Sequence, residues 1–211
     1  MKKICQRLVL TLGLLSTPCW AYYDVLDNGE ILQSGHYKFT AGLQTLTSSG
    51  GLNMGLMFDA GFQEEYGIRI LGGLGKTDYY TGGLFKWMPI PDIEGQPAIG
   101  FNVGLVYAKW NDNRDLTFRF EPLVSKKFEM ESVTLTPYGS LPLGLRTRNS
   151  DVNEAGSAVT WQLVAGSQLQ IEKWKNLQFM GEIGLELEHA FSHISLAAIY
   201  YFDPETGFEL K

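Results

Sequence analysis

LQFMGEIGLELEHAFSHISLAAIYYF, residues 177–202, is the stretch whose reading decides the fold. In its first arm Leu177, Phe179, Ile183, Leu185 and Leu187 alternate with Gln178, Glu182, Glu186 and Glu188. In its second arm Ile194, Leu196, Ala198, Tyr200 and Phe202 share one parity, and His193 and Ser195 share the other. Period-two alternation puts successive side chains on opposite faces of a strand, so this is a β-hairpin with one apolar and one polar face.

The same rhythm runs back through the chain. Runs at 35–46, 51–62, 66–75, 79–88, 98–109, 116–128, 133–146 and 158–172 alternate likewise, and most are separated by short turns rich in Gly, Asn, Asp, Ser and Thr. With the last hairpin this predicts ten antiparallel strands, with eight as the alternative count, and no helix of useful length. Pro137 and Pro142 fall inside the seventh run and predict a bulge or a disturbed ladder there. Residues 147–157 are predicted as the one long loop. The composition predicts an all-β, closed, up-and-down barrel over 35–202, preceded by a lead-in at 22–34 and followed by a tail at 203–211.

Alternation alone does not say which face is inside. A soluble barrel hides its apolar face around an apolar ligand, whereas a membrane barrel shows that face to lipid. Three features favour the membrane form. The apolar face is almost free of charge. The polar face is crowded with glycines such as Gly42, Gly55, Gly61, Gly73, Gly104 and Gly184, which suit a narrow interior. Aromatics including Tyr37, Tyr66, Tyr79, Trp87, Tyr107, Trp161, Tyr200 and Phe202 gather near strand ends on the apolar face, as an interfacial girdle requires. A soluble periplasmic barrel with an apolar ligand remains as an alternative.

Residues 1–21 read as a secretory signal: Lys2, Lys3 and Arg7, then an apolar run too short to span a bilayer, then Cys19-Trp20-Ala21 as a cleavage site. Cleavage removes three cations and no acid, so a net charge of −6 becomes three units more negative. That excludes the basic footprint of a nucleic-acid-binding protein. Both cysteines, Cys5 and Cys19, leave with the signal, so neither disulfides nor thiolate metal sites are expected.

With its signal segment, its alternating strands, its lack of mature cysteine and a last strand ending in Tyr200-Tyr201-Phe202, the chain resembles the small bacterial outer-membrane β-barrel proteins. The resemblance implies a transmembrane barrel in the outer membrane, surrounded by outer-membrane lipid and inserted by the barrel-assembly machinery. In that family the terminal aromatic is usually the last residue, whereas here 203–211 follow. An even strand number then places both termini in the periplasm, with the connections after odd-numbered strands facing outward.

The polar face contributes Lys38, Asp59, Arg69, Lys86, Arg119, Glu121, Arg146, Glu182, Glu186, Glu188 and His193 as expected lumen-lining residues. Both signs are present, so these groups either fill the barrel as ion pairs or line a narrow pore for small polar solutes. One constellation has catalytic ingredients. A tight turn at Ala190-Phe191 pairs Glu188 with His193 and Glu186 with Ser195, bringing a hydroxyl, an imidazole and a carboxylate together. His193-Ile194-Ser195 is similar to the His-x-Ser arrangement of outer-membrane lipid A 3-O-deacylase, although that family's Asn after the Ser is Leu196 here. A lipid-modifying hydrolase is therefore the enzymatic alternative to a structural or pore role. No cofactor and no metal site are expected.

Overall fold

The computed structural model describes residues 24–48, 50–150, 156–174 and 176–202. The expected signal segment 1–21 and the tail 203–211 lie outside these residues. The strands are β1 (Tyr37–Leu46), β2 (Leu52–Gly61), β3 (Tyr66–Gly75), β4 (Tyr79–Ile90), β5 (Ala98–Trp110), β6 (Asn113–Ser125), β7 (Phe128–Glu129), β8 (Val133–Ser140), β9 (Leu143–Ser150), β10 (Gly156–Ile171), β11 (Leu177–Glu188) and β12 (His193–Phe202). Each strand from β1 to β5 pairs antiparallel with the next, and β12 pairs with β1 from Tyr37↔Phe202 to Leu46↔His193. That last ladder closes the sheet, so no long edge is left to recruit another chain.

β8 and β9 are two halves of one stave. Both lie between β6 and β10, and Leu141-Pro142 separates them. The wall therefore has ten staves, as the alternation predicts. The break falls at Pro142, which has no N–H to give the ladder; its carbonyl accepts from Gln162 N–H at 3.2 Å, so the skip is local. Pro137 is tolerated because β6 pairs β8 only at residues 138–140, leaving the Pro137 nitrogen off a complete ladder.

The faces fall as the membrane form requires. Ile70 is 57 % exposed and Leu196 is 67 % exposed on the outside, with Leu43, Leu56, Leu105, Leu145, Leu163 and Ile183 completing an apolar belt around the staves. The opposite parity is buried and mixes charged and amide groups with an apolar cluster that includes Met57, Leu71, Leu84, Val164 and Ile199. The alternative with an apolar interior is not what forms. Aromatics contact one another along one rim: Tyr37 stacks on Phe58 and Phe202, Phe62 and Tyr66 meet Phe85, and Phe101 bridges Trp87 and Phe120. This rim, where β1 begins and β12 ends, is the terminal end. The other is the distal end, where Tyr79 meets Tyr107.

Three local expectations are corrected. The predicted loop 147–157 is mostly strand: β9 runs to Ser150, β10 starts at Gly156, and Gly156↔Arg148 and Ser157↔Thr147 are paired. Residues 151–155 lie outside those described. The final hairpin is not a tight turn. His193 pairs with Gly184 and Ser195 with Glu182, so residues 185–188 of β11 rise above β12 and pair only with β10. Finally, the lead-in predicted outside the barrel goes inside. Asp24 to Asn28 are buried, and the chain returns to the terminal rim at Leu32 before turning through Gly35, whose φ of +85° suits glycine.

Candidate functional site: the lumen and its internal segment

The lumen is built by register. Lys38, Asp59 and Arg69 lie directly opposite one another on β1, β2 and β3, so cation, acid and cation alternate across adjacent staves. Arg69 donates to both oxygens of Asp59, at 2.7 and 3.0 Å, the bidentate geometry its planar fork favours. Lys86 on β4 and Asn102 on β5 extend the row toward Glu121 and Arg119 on β6, which pair with each other.

Into this row the internal segment places Asp27, which is 0 % exposed. Its carboxylate is approached by Lys86 Nζ at 2.8 Å, Arg69 Nη2 at 3.2 Å and Lys38 Nζ at 3.4 Å, and the Asn102 amide donates to it at 3.0 Å. Three buried cations thus share two carboxylates, Asp27 and Asp59. Desolvating charges is repaid only when each keeps partners, and removing one member of such a group typically costs about 3–5 kcal/mol. Asp27 therefore belongs to the electrostatic closure of the wall.

The backbone of the segment is clamped from two sides. The Glu182 carboxylate on β11 accepts the N–H groups of Val25 at 3.0 Å and Leu26 at 2.7 Å. From β3, Arg69 donates to the carbonyls of Val25 at 2.7 Å and Leu26 at 3.4 Å. Successive N–H groups can converge on one anion when a residue turns left-handed, and Leu26 has φ +37°. For a leucine this conformation costs about 1–2 kcal/mol, so the clamp holds strained backbone. Glu182 also accepts Tyr138 O–H at 2.7 Å and lies 3.0 Å from His193 Nε2.

Further down, Asn28 donates to Gln168, Gly29 N–H to Ser125 Oγ, and Tyr201 O–H to Glu30. Inward glycines make room for this path. A Cβ on Gly61 would overlap the Leu32 carbonyl, and one on Gly42 would press on Leu26. The distal half of the lumen is filled differently. Asn53 Nδ2 donates to Gln44 Oε1 at 3.1 Å, and Gln162 lies between the Phe191 carbonyl and His193 Nδ1. Phe191, in the connection between β11 and β12, is itself buried.

Of the predicted lumen residues, Lys38, Asp59, Arg69, Lys86, Arg119, Glu121, Glu182, Arg146 and His193 are buried and inward. Glu186 and Glu188 are exposed on the distal extension of β11 and do not line the lumen. They have the lumen parity, but β12 begins too late to enclose them. The constellation of Ser195 and His193 with Glu186 and Glu188 is accordingly not assembled. His193 meets Glu182 and Gln162, and Ser195 Oγ is buried without a hydrogen-bond partner among the described residues. Asp24, Asp27, Asn28 and Glu30 are functional-site residues that the alternation could not reveal, since they lie before the first strand. Among the described residues no cluster of potential metal ligands occurs.

No protein-family model matches the chain, and no curated protein is similar to it in sequence. Among solved structures, a de novo designed transmembrane β-barrel aligns with a TM-score of 0.41 at 11 % identity, over 82 % of this chain and 100 % of that one. The N-terminal β-barrel domain of Pseudomonas aeruginosa OprF aligns with a TM-score of 0.35 at 12 % identity, over 81 % and 100 %. The outer membrane enzyme PagL aligns with a TM-score of 0.36 at 12 % identity, over 79 % and 99 %. These are likenesses of fold. The architecture of this chain, from its own register and burial, is a closed ten-stave antiparallel β-barrel of the transmembrane type.

Proposed function

We propose that the protein is a bacterial outer-membrane barrel that acts as a narrow pore for small polar solutes and rests closed, its lumen filled by its own residues 24–33. The observation that carries this reading is that the wall is complete without the segment. Every stave finds both neighbours from the other staves, and β1 closes on β12 without using residues before Tyr37. A small barrel with only an envelope role can fill itself with side chains from its own strands. Here the terminal half of the lumen is filled by a separate, tethered piece of chain, seated through ion pairs and hydrogen bonds and, at Val25 and Leu26, through apolar packing inside the barrel. The apolar outer belt and the aromatic rim support a lipid surround.

The enzymatic reading has less support. Ser195 is buried within the wall, away from any lipid at the outer belt, and its predicted acid partners stand exposed at the distal rim, beyond its reach. Planar-bilayer recording tests the proposal. The full chain should be silent or flicker rarely, and a variant lacking residues 24–33 should show stable steps. If the shortened barrel folds and remains silent, the protein is a static envelope barrel.

A further inference from the structure

The ring around Asp27 has the makeup of an anion site in its own right. Lys38, Arg69 and Lys86 come from three strands, and all three are nearly fully buried. Among the described residues the wall offers them one carboxylate within ion-pair reach, Asp59; Glu121 is engaged by Arg119 and Asn102. Without Asp27, three cations would face a single negative charge. Thr40, next on the same lumen face of β1 after Lys38, carries a fully buried hydroxyl with no hydrogen-bond partner among the described residues. The fourth donor to Asp27, the Asn102 amide, is also fixed in the wall. Asp27 itself arrives on a segment that belongs to no strand and is strained at Leu26. Its carboxylate is in effect a ligand on a tether.

We propose that Lys38, Arg69, Lys86 and Asn102 form an oxyanion-binding site that Asp27 occupies in the closed barrel. A soluble carboxylate or phosphate takes that place when the segment withdraws. This rests on reading residues 24–33 as a gate, and it makes the preferred solute of the open barrel a small oxyanion. Competition for one ring is also a release mechanism: an oxyanion can shift the equilibrium toward the withdrawn state only by its differential affinity for that state.

The test is recovery of a missing carboxylate by a free one. Full-length Asp27→Ala is refolded in detergent micelles, and its thermal midpoint is compared in sodium acetate, sodium phosphate and sodium chloride at equal ionic strength. The variant should melt at least about 5 °C below the parent chain. Acetate or phosphate at about 0.1 M should restore half or more of that loss, chloride should not, and the parent chain should be unaffected. Whichever of acetate and phosphate acts at lower concentration identifies the oxyanion chemistry. Adding Lys86→Met should raise the half-effective acetate concentration roughly ten-fold or more, in keeping with loss of a charged hydrogen bond. If Asp27→Ala does not fold, the near-isosteric Asp27→Asn takes its place. Equal response to chloride and oxyanions, or recovery untouched by Lys86→Met, would overturn the site. Recovery is read in micelles and current in bilayers, so a recovering but silent barrel removes the gate and keeps the ring's chemistry. Current without recovery does the reverse.

Discussion

The two halves of the lumen are filled by different means. In the distal half, Asn53 donates to Gln44, and Gln162 reaches the Phe191 carbonyl and His193 Nδ1, all from the wall strands and one connection. In the terminal half, Lys38, Arg69 and Lys86 depend on an acid supplied from outside the wall. Neutral amides can close a network locally because each both donates and accepts. Cations only donate, so a wall with surplus cations needs an additional anion. The distal half is thereby filled by the wall and its connection, and the terminal half by a segment that belongs to no strand.

That contrast can be broken most directly at Arg69. Arg69→Ala strips Asp27 and Asp59 of their shared guanidinium and frees the Val25 and Leu26 carbonyls, and should cost about 3–5 kcal/mol in urea unfolding followed by heat-modifiable gel migration. If it costs no more than a distal amide, the halves are equivalent and the comparison fails. Glu182→Gln keeps the shape but removes the charge that draws two backbone N–H groups, and about 1.5–3 kcal/mol should be lost in the same assay. Gly61→Ala tests the segment with little change to the wall. The added methyl collides with the Leu32 carbonyl, so limited proteolysis at residues 24–33 should speed up severalfold while wall stability falls by about 1 kcal/mol or less. In the distal half Gln162→Ala should cost only about 1 kcal/mol, with no gain in proteolysis of the segment.

The smallest effect lies outside the lumen, in the 91–97 connection at the terminal rim. Burial there tends to raise the Asp92 pKa, but hydrogen bonds from Lys126 Nζ and the Lys127 N–H outweigh it and hold the carboxyl below its ordinary value. A carboxyl lowered by folding adds stability above its unfolded pKa and loses it as pH falls through the folded one. Asp92→Asn should therefore lower the denaturation midpoint slightly at about pH 7 and leave it unchanged at about pH 2.

How much of this was legible in the sequence varies residue by residue. Leu43, Leu56, Ile70 and Leu196 were assignable to the outside and Lys38, Asp59, Arg69 and Glu182 to the inside, because a period of two survives any choice of register. Glu186, Glu188 and the predicted catalytic pairing failed for the complementary reason. Parity says which face a side chain takes but not how far the neighbouring strand reaches, and a hairpin offset displaces partners without changing faces. The loop at 147–157 failed because polar residues such as Thr147, Arg148 and Ser157 read as turn chemistry, although a ladder extended past the barrel wall suits them equally well.

By itself, the sequence determined an antiparallel wall with apolar and polar faces, with ten staves favoured over eight, aromatics near the strand ends and a disturbed ladder at Pro137 or Pro142, all consequences of local alternation and of proline's missing N–H. Only the tertiary structure decided that residues 24–33 turn inward and that Asp27 completes a ring of three cations. Those cations come from three strands spread across residues 37–90, and the acid precedes them all. No local pattern encodes that meeting. Closing the barrel put Lys38, Arg69 and Lys86 in a space that excludes water, and there a buried charge without a partner is too costly to leave.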